Sequence, residues 1–295
     1  MGVQIDAIDI SSWQRDVDFE AVRAAGIDHV ILRCGFTGYG KAHTKNKDGY
    51  FEQNYAAAKA AGLHIGVYYY SCAVTEAEAR AEADFVLQLI DGKQLELPVY
   101  WDTENDHDLT ADGVFPQSQA SIGREALTRV AKAFLERVEA AGYFVGLYAS
   151  KYWLENRLDA QALGAYSVWV AQYAERCTYG GAYAAWQYTS TGAVSGVAGG
   201  VDRNYLYMDF PAVIRKAGLN RLVTPAAPEE PALLPGDVDG DGVVTAEDAR
   251  LVLRASVGLE SFTERQKKAA DVDGDGVVSA EDARRVLRMA AGLEG

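Results

Sequence analysis

Strand-like and helix-like segments alternate without a break over the first 150 residues, and that order admits few folds. "QIDAIDIS" reads as a strand, and "DFEAVRAAG" as a short helix closed by Gly26. "HVILRCGF" and "FEQNYAAAKAAG" repeat the pattern. "HIGVYYYS" follows with "TEAEARAEADFVLQLIDG", for which Thr75 is an N-cap. "LPVYWDTE" is the fourth strand, "SQASIGREALTRVAKAFLERVEAAG" the longest helix and "FVGLYAS" the fifth strand. After a helix around "KYWLENRL", three strand-like runs, "SVWVAQY", "AAWQYTS" and "VDRNYLY", come without clear helices between them, and "FPAVIRKAG" closes the unit. Repeated strand–helix units imply a parallel sheet with right-handed crossovers. Eight strands of this kind predict an α/β fold, an irregular TIM-like (β/α) barrel over residues 1–218. A doubly wound open sheet is the competing architecture, but no Gly-rich phosphate loop follows the first strand.

The chain then changes character. Residues 219–235, "LNRLVTPAAPEEPALLP", hold four of the seven prolines and read as a semi-rigid linker. Beyond it, "DVDGDGVVTAEDARLVLRASVGLE" from Asp237 is repeated as "DVDGDGVVSAEDARRVLRMAAGLE" from Asp271, 34 residues on. Such likeness means duplication of one supersecondary unit, expected as a small all-α domain over residues 236–295. Each copy opens with the spacing of an EF-hand-like calcium loop. In the first copy the ligand positions are Asp237, Asp239, Asp241, Thr245 and Asp248, with a backbone carbonyl from Val243. In the second they are Asp271, Asp273, Asp275, Ser279 and Asp282, with Val277. A hard dication wants six to eight oxygens, and clustered carboxylates repel one another without one; two calcium ions are expected. An acidic surface turn is the bland reading, disfavoured by two full matches. Position 12 is Asp where an ordinary EF-hand has Glu, and no helix pattern precedes the first loop.

Those departures resemble the dockerin family, as does "FTERQKKAADVDGDG" ahead of the second loop. The resemblance covers residues 236–294. It implies a calcium-folded module that docks onto a cohesin domain of an extracellular scaffoldin. The contact positions it implies are Ala246, Glu247, Leu253 and Arg254, then Ala280, Glu281, Leu287 and Arg288. Their near-identity between copies implies pseudo-twofold symmetry and two equivalent docking orientations, although Leu253 and Leu287 could equally face the small core.

A formal net charge of −14 argues against nucleic-acid partners, which need a basic face, and against anionic membranes. No run of eighteen apolar residues exists to span a bilayer. "MGVQIDAIDI" lacks a signal-peptide pattern, so the chain is expected either to be cytoplasmic or to have lost a leader; the dockerin resemblance implies the latter. Cys34, Cys72 and Cys177 are too few for a disulfide scaffold. A Cys34–Cys72 bridge is one reading, and three buried thiols the favoured one.

Active sites of strand–helix barrels lie at the C-terminal ends of the strands. Those ends offer Asp9, then Tyr68 and Tyr70, which share a face, then Asp102 and Glu104, two apart and also on one face. Later strands offer Tyr148, Gln172, Trp186, Gln187, Asp202 and Asn204. Four acids and several aromatics with almost no Lys or Arg suit a neutral sugar: aromatic faces stack on pyranose rings, and paired carboxyls perform glycoside hydrolysis. Glu104, with the longer side chain, is expected to hold the proton, and Asp102 to stay ionised and raise its pKa. Singly, an acid such as Asp9 or Asp202 could instead cap a helix or pair with Arg33 or Arg203, and strand-end aromatics could be core.

The run "IDISSWQ", "IGVYYYS", "PVYWDTE", "GLYAS" and "WQYTSTGAVSGVAGGVDRNY" resembles glycoside hydrolase family 25, the Chalaropsis-type lysozymes or N-acetylmuramidases, over residues 4–217. That resemblance implies cleavage of the β-1,4 bond between N-acetylmuramic acid and N-acetylglucosamine in peptidoglycan, with no cofactor required for catalysis. By position it implies Glu104 as general acid/base and Asp102 as the partner that orients the 2-acetamido group. Asp9 and Asp202 would be further cleft acids, and Tyr70 and Tyr148 would lie near the scissile sugar. Tyr68, Trp186 and Gln187 complete the expected substrate contacts. A non-catalytic cell-wall-binding barrel and a chitinase-like hydrolase are the alternatives.

Overall fold

The computed structural model describes residues 3–38, 44–104, 118–222 and 233–293, in two compact units divided between Thr224 and Pro225. The first unit runs β1 (Ile5–Ile10), α1 (Phe19–Ala24), β2 (His29–Thr37), β3 (Lys45–Lys47), α2 (Phe51–Ala60), β4 (His64–Tyr70), α3 (Glu76–Leu89) and β5 (Val99–Asp102). It continues with α4 (Arg124–Glu139), β6 (Val145–Ser150), α5 (Lys151–Asn156), β7 (Ser167–Ala171), β8 (Ala185–Gly192), β9 (Val201–Leu206) and α6 (Phe210–Ala217). Thr75 caps α3 through a full capping box with Glu78, each side chain binding the other's backbone N–H.

Eight strands close into a barrel in the order β1-β9-β8-β7-β6-β5-β4-β2, because β1 pairs with both β9 and β2; short β3 hangs from β2. Six neighbouring pairs, from β1–β2 round to β7–β8, are parallel. The expected all-parallel sheet fails at β9, which runs antiparallel to both β8 and β1. The cause is the connection: residues 193–200 are short and helix-free, with Gly196 and Gly199 at positive φ, so the chain returns as a hairpin. A parallel partner would need a crossover of a dozen or more residues.

Alternate strand residues build two cores. Ile8, Leu32, Val67, Tyr69, Trp101 and Leu147 face outward onto Val22, Phe51, Val86, Phe134 and Val138 of the helices. Ala7, Ile31, Tyr100, Tyr148, Trp169, Ala185 and Leu206 fill the interior, closed off by Phe210, Ile214 and Leu222. The Trp169 indole touches the rings of Tyr148 (4.5 Å between centroids), Tyr100 (5.0 Å) and Tyr68 (6.1 Å). Gly146 makes room for this cluster, since a Cβ there would lie 2.6 Å from the Tyr100 ring. The lower barrel is solid protein, and the polar cleft is left to the strands' C-terminal ends.

The linker begins later than the sequence suggests. Leu219 and Leu222 pack into the interior core, and Asn220 is fully buried in the left-handed region at φ 55, which Asn tolerates. Its Nδ2 donates to Leu95 O (3.0 Å) and Leu97 O (2.9 Å), and its Oδ1 accepts from Phe144 N (2.6 Å). Residues 219–222 therefore belong to the barrel. The Pro-rich stretch 223–232 lies outside the described residues. Cys34 and Cys72 are buried thiols outside any disulfide; Cys177 is likewise unbridged and only half-buried.

The second unit holds α7 (Ala246–Ser256), α8 (Glu264–Ala270) and α9 (Ala280–Ala290). Its fully buried core is Val238, Ala249, Val252, Ala269, Ala270, Ala283 and Val286, with Leu233, Leu251 and Phe262 packed against it half-buried. So small a core stabilises little by itself.

Candidate active site and metal loops

Strand parity and the barrel's closure bring the sequence-distant acids together. Asp9 from β1, Asp102 from β5, Glu104 just beyond it and Asp202 from β9 line one cavity of about 140 Å³ with Tyr68, Tyr148, Trp169, Tyr173 and Gln187. Asp9 and Asp202 are directly opposed in the β1–β9 register. No Lys or Arg is among these lining residues. Arg33 and Arg203 are engaged elsewhere, Arg33 with Asp48 (2.8 Å) and Arg203 with Asp6 (3.0 Å).

Asp9 is held by two amides whose orientation the network dictates. Trp169 Nε1 can only donate, and it donates to Asn204 Oδ1 (2.8 Å), turning Asn204 Nδ2 towards Asp9 Oδ2 (2.9 Å). Gln187 Oε1 accepts from the hydroxyls of Tyr148 (2.8 Å) and Tyr173 (3.0 Å), so its Nε2 donates to the same Asp9 oxygen (2.9 Å). Burial, with the charges of Asp202 and Glu104, pushes Asp9 up to about 8 against the pull of the two amide donors. Burial also raises Asp202 to about 6.

The Asp102/Glu104 pair departs from the expected protonation. Asp102 is 3% exposed, and no described atom hydrogen-bonds its Oδ1. Burial, then the charges of Glu104 and Asp9, push its carboxyl well above the usual range, with Arg33 pulling weakly the other way. Glu104 is exposed. Burial thus favours the neutral form of Asp102, an effect that side-chain length does not anticipate.

Among the expected sugar contacts, Tyr68, Tyr148 and Gln187 line the cleft. Tyr70 follows Tyr68 on the same face at the end of β4, beside Asp102 in register, outside the lining set. Trp186 is corrected outright. Next to inward-facing Gln187, it points outward, 5% exposed, against Tyr188 and Tyr205, with Nε1 donating to Gln172 O (2.8 Å). Neighbours in a strand face opposite ways. Trp169 and Tyr173 were missed; the alternation of "SVWVA" does put Trp169 on the inner face.

In the second unit the carboxylates of Asp237, Asp239 and Asp248 lie within 4.8 Å of one another, and so do those of Asp271, Asp273 and Asp275. All-oxygen donors at this density fit a hard cation. Asp241 and Asp282 fall outside these two groups. Thr245 and Ser279 act as N-caps of α7 and α9, each in a capping box with Asp248 or Asp282. The side chains of Val243 and Val277 are exposed. Of the expected docking positions, Leu253 and Leu287 are exposed and outside the small core. Glu247 pairs with Arg250, Arg254 with Glu260 (3.2 Å) and Glu281 with Arg284.

An irregular barrel that gathers four carboxyls and several tyrosines at one end of its strands is the architecture of a glycoside hydrolase. The model for Glycosyl hydrolases family 25 matches residues 8–197, and the chain belongs to that family. Residues 235–289 match the Dockerin type I domain. The chain is 26% identical over 196 residues to the autolytic lysozyme of Clostridium acetobutylicum, covering 66% of this chain and 53% of that one. It is 29% identical over 205 residues to the protein YegX of Escherichia coli, covering 68% of each. Among solved structures, the CTP1L endolysin shares 27% identity at a TM-score of 0.58, over 72% of this chain and 70% of that one. The modular autolysin LytC of Streptococcus pneumoniae, solved with a synthetic peptidoglycan ligand, shares the fold at a TM-score of 0.62 and 24% identity. The match covers 70% of this chain and about half, 48%, of LytC.

Proposed function

We propose that the barrel is a peptidoglycan hydrolase, an N-acetylmuramidase that cuts the β-1,4 bond between N-acetylmuramic acid and N-acetylglucosamine. The observation that carries this reading is the convergence of Asp9, Asp102, Glu104 and Asp202 on one tyrosine-lined cleft whose described lining holds no Lys or Arg. Glu104, exposed at the mouth, is the carboxyl that reaches the glycosidic oxygen. A glycan lying over it displaces water and favours its protonated form, making it the general acid. Asp102 Oδ1, which no described atom hydrogen-bonds, accepts the N–H of the substrate's 2-acetamido group and orients it, leaving the acetamido oxygen free. The acetamido oxygen is then placed to attack C1, giving retention with a β-configured first product; an α-configured product rules that route out. Asp9 and Asp202 position the sugar.

The second unit, on this reading, holds two calcium ions. The carboxylates of Asp237, Asp239 and Asp248 bind one, and those of Asp271, Asp273 and Asp275 the other; the ions supply the fold's missing stabilisation, not chemistry. So loaded, the unit docks onto a cohesin of an extracellular scaffoldin through Ala246, Glu247, Leu253, Arg254 and their counterparts Ala280, Glu281, Leu287 and Arg288. The Pro-rich stretch tethers the enzyme to it.

Digesting purified peptidoglycan and chitin in parallel, with reducing-end analysis, tests the assignment. Muramic acid reducing ends from peptidoglycan support it. Cleavage of chitin alone favours a chitinase-like enzyme, and binding without cleavage a wall-binding barrel. Glu104→Gln is expected to lower turnover by about 10²–10⁴-fold with an unchanged melting temperature; near-normal turnover refutes the role.

A further inference from the structure

Of the described carboxyls buried in the barrel outside the cleft, Asp48 pairs with Arg33 and Glu96 with Lys59; Glu82 is held by neutral donors instead. Glu82 of α3 is 2% exposed and lies on the outer side of the barrel wall. Its Oε1 accepts from Thr37 Oγ1 (2.5 Å) and Cys72 N (3.2 Å), and its Oε2 from Ser71 Oγ (2.6 Å). Since Thr37 gives its proton to Glu82, the Tyr69 hydroxyl beside it (2.9 Å) is the donor in their contact. Burial raises the Glu82 carboxyl to about 7, with the donors from Ser71, Thr37 and Cys72 working against that rise. Burying such a group is costly, and an apolar side chain would pack there without that cost.

The network leads to the catalytic strand end. Thr103, the residue between Asp102 and Glu104, donates from Oγ1 to Gln119 Oε1 (3.0 Å). Gln119 Nε2 donates to Ser71 Oγ (3.2 Å) and to Ala73 O (3.2 Å), and Ser71 passes its own proton to Glu82. Every donor in the series Thr103, Gln119, Ser71 points the same way, towards an acceptor-only carboxylate. Thr103, Gln119 and Ser71 are all buried. The backbone is gripped as well: Ser71 N donates to Asp102 O (3.0 Å), and Thr103 N to Tyr148 O (3.1 Å).

We propose that Glu82, Ser71, Gln119 and Thr103 form a positioning relay that anchors the Thr103 side chain outside the barrel and thereby holds Asp102 and Glu104 on its inner face. With Thr103 fixed outward just past the end of β5, its two neighbours Asp102 and Glu104 stay turned to the cleft, which both line. The relay touches no sugar and acts only through the two acids. It rests on the hydrolase reading above.

The test uses the full chain and three variants, Thr103→Val, Thr103→Ser and Glu82→Gln. Thr103→Val keeps shape and removes the first donor. Its turnover on soluble peptidoglycan fragments is expected to fall about 10- to 100-fold, as a displacement of about 1 Å does, with KM within about twofold. Thr103→Ser restores the hydroxyl and most of the turnover. Glu82→Gln puts an N–H where an acceptor is needed and lies between the two. A loss of melting temperature in Thr103→Val with turnover intact overturns the relay, leaving a packing role. If the wild-type chain cuts no peptidoglycan, the hydrolase reading fails, and carbon-13 titration of Asp102 and Glu104 still decides the relay. Altered carboxyl titration in Thr103→Val supports it, and curves unchanged from wild type overturn it.

Discussion

Carboxylates crowd together in both units, and the two units relieve the crowding differently. In the barrel the four acids come from residues 9, 102, 104 and 202, delivered by three strands and a strand-end turn into a lined cleft. Three of them are raised, Asp9 and Asp102 by burial and neighbouring charge and Asp202 by burial, so protons neutralise part of the cluster. In the second unit the acids are neighbours in sequence, on short loops with a small valine and alanine core behind them. Backbone N–H groups bind those carboxylates, among them Gly240 N and Gly242 N on Asp237 and Gly274 N and Gly276 N on Asp271, and oxygens gathered on a short loop suit a cation. Repulsion within a fold thus becomes acid–base chemistry where distant strands and side-chain amides hold the acids, and metal affinity where one loop's backbone does.

Chelation breaks the comparison most visibly. At a thousandfold excess of calcium over Kd, each loaded loop adds about 4 kcal/mol, more than so small a core supplies. A chelator is expected to abolish the melting transition of the second unit and leave that of the barrel in place, as read by scanning calorimetry. A single transition indifferent to the chelator would remove the metal from the argument.

The same Asp→Asn substitution should act with opposite sign in the two units. Asp9 is at about 8 in the folded barrel and near 4 when unfolded. The folded state therefore binds the extra proton between those values. The stability it contributes is fully present below pH 4 and is lost as pH rises through 8, at up to about 1.4 kcal/mol per pH unit; Asp202 adds to the loss only up to about 6. Asp9→Asn removes that slope and should make the barrel more stable than wild type at pH 8, with the gain shrinking towards pH 5. Thermal melts at pH 5 and pH 8 measure it, and a wild-type barrel equally stable at both would contradict the raised value. In the first loop, Asp239→Asn keeps an oxygen but removes its charge, and should weaken calcium binding about tenfold, or 1.4 kcal/mol, by calorimetric titration; unaltered affinity would mean that the charge of Asp239 does not serve the metal.

The two acidic clusters were unequally legible. The loops are contiguous, so spacing alone names Asp237, Asp239, Asp271, Asp273 and Asp275 as the acids brought together. The cleft needed strand ends to be read as neighbours, and parity carried that as far as Asp9, Tyr68, Asp102, Tyr148 and Gln187. It failed for Trp186 because two neighbours in one strand, Trp186 and Gln187, cannot both face the cleft. The protonation of Asp102 was not legible, since depth of burial belongs to the closed barrel and not to side-chain length. Nor was the reversal of β9, which follows from a loop too short for a crossover. Glu82 and Gln119 left no local signal: an acid inside a helix and a glutamine before one read as solvated surface until the barrel wall closes over them.

The smallest expected effect tests whether the two copies in the second unit are as equivalent as their sequences. Thr245 Oγ1 accepts from Glu247 N, and Ser279 Oγ from Glu281 N and Asp282 N. Losing such a cap costs about 1 kcal/mol. The hydroxyls also donate to the carboxylates of Asp248 and Asp282, so removing them frees an oxygen lone pair beside the metal loop. Thr245→Ala and Ser279→Ala should each lower the calcium-loaded melting transition of the second unit by about that amount and leave the barrel untouched. The helices they open, α7 and α9, pack against each other through a core that includes Val252 and Val286. If that contact couples the copies, the double variant departs from the sum of the singles by about 0.5 kcal/mol or more. Strict additivity would mean that each loop and its helix fold as a separate unit.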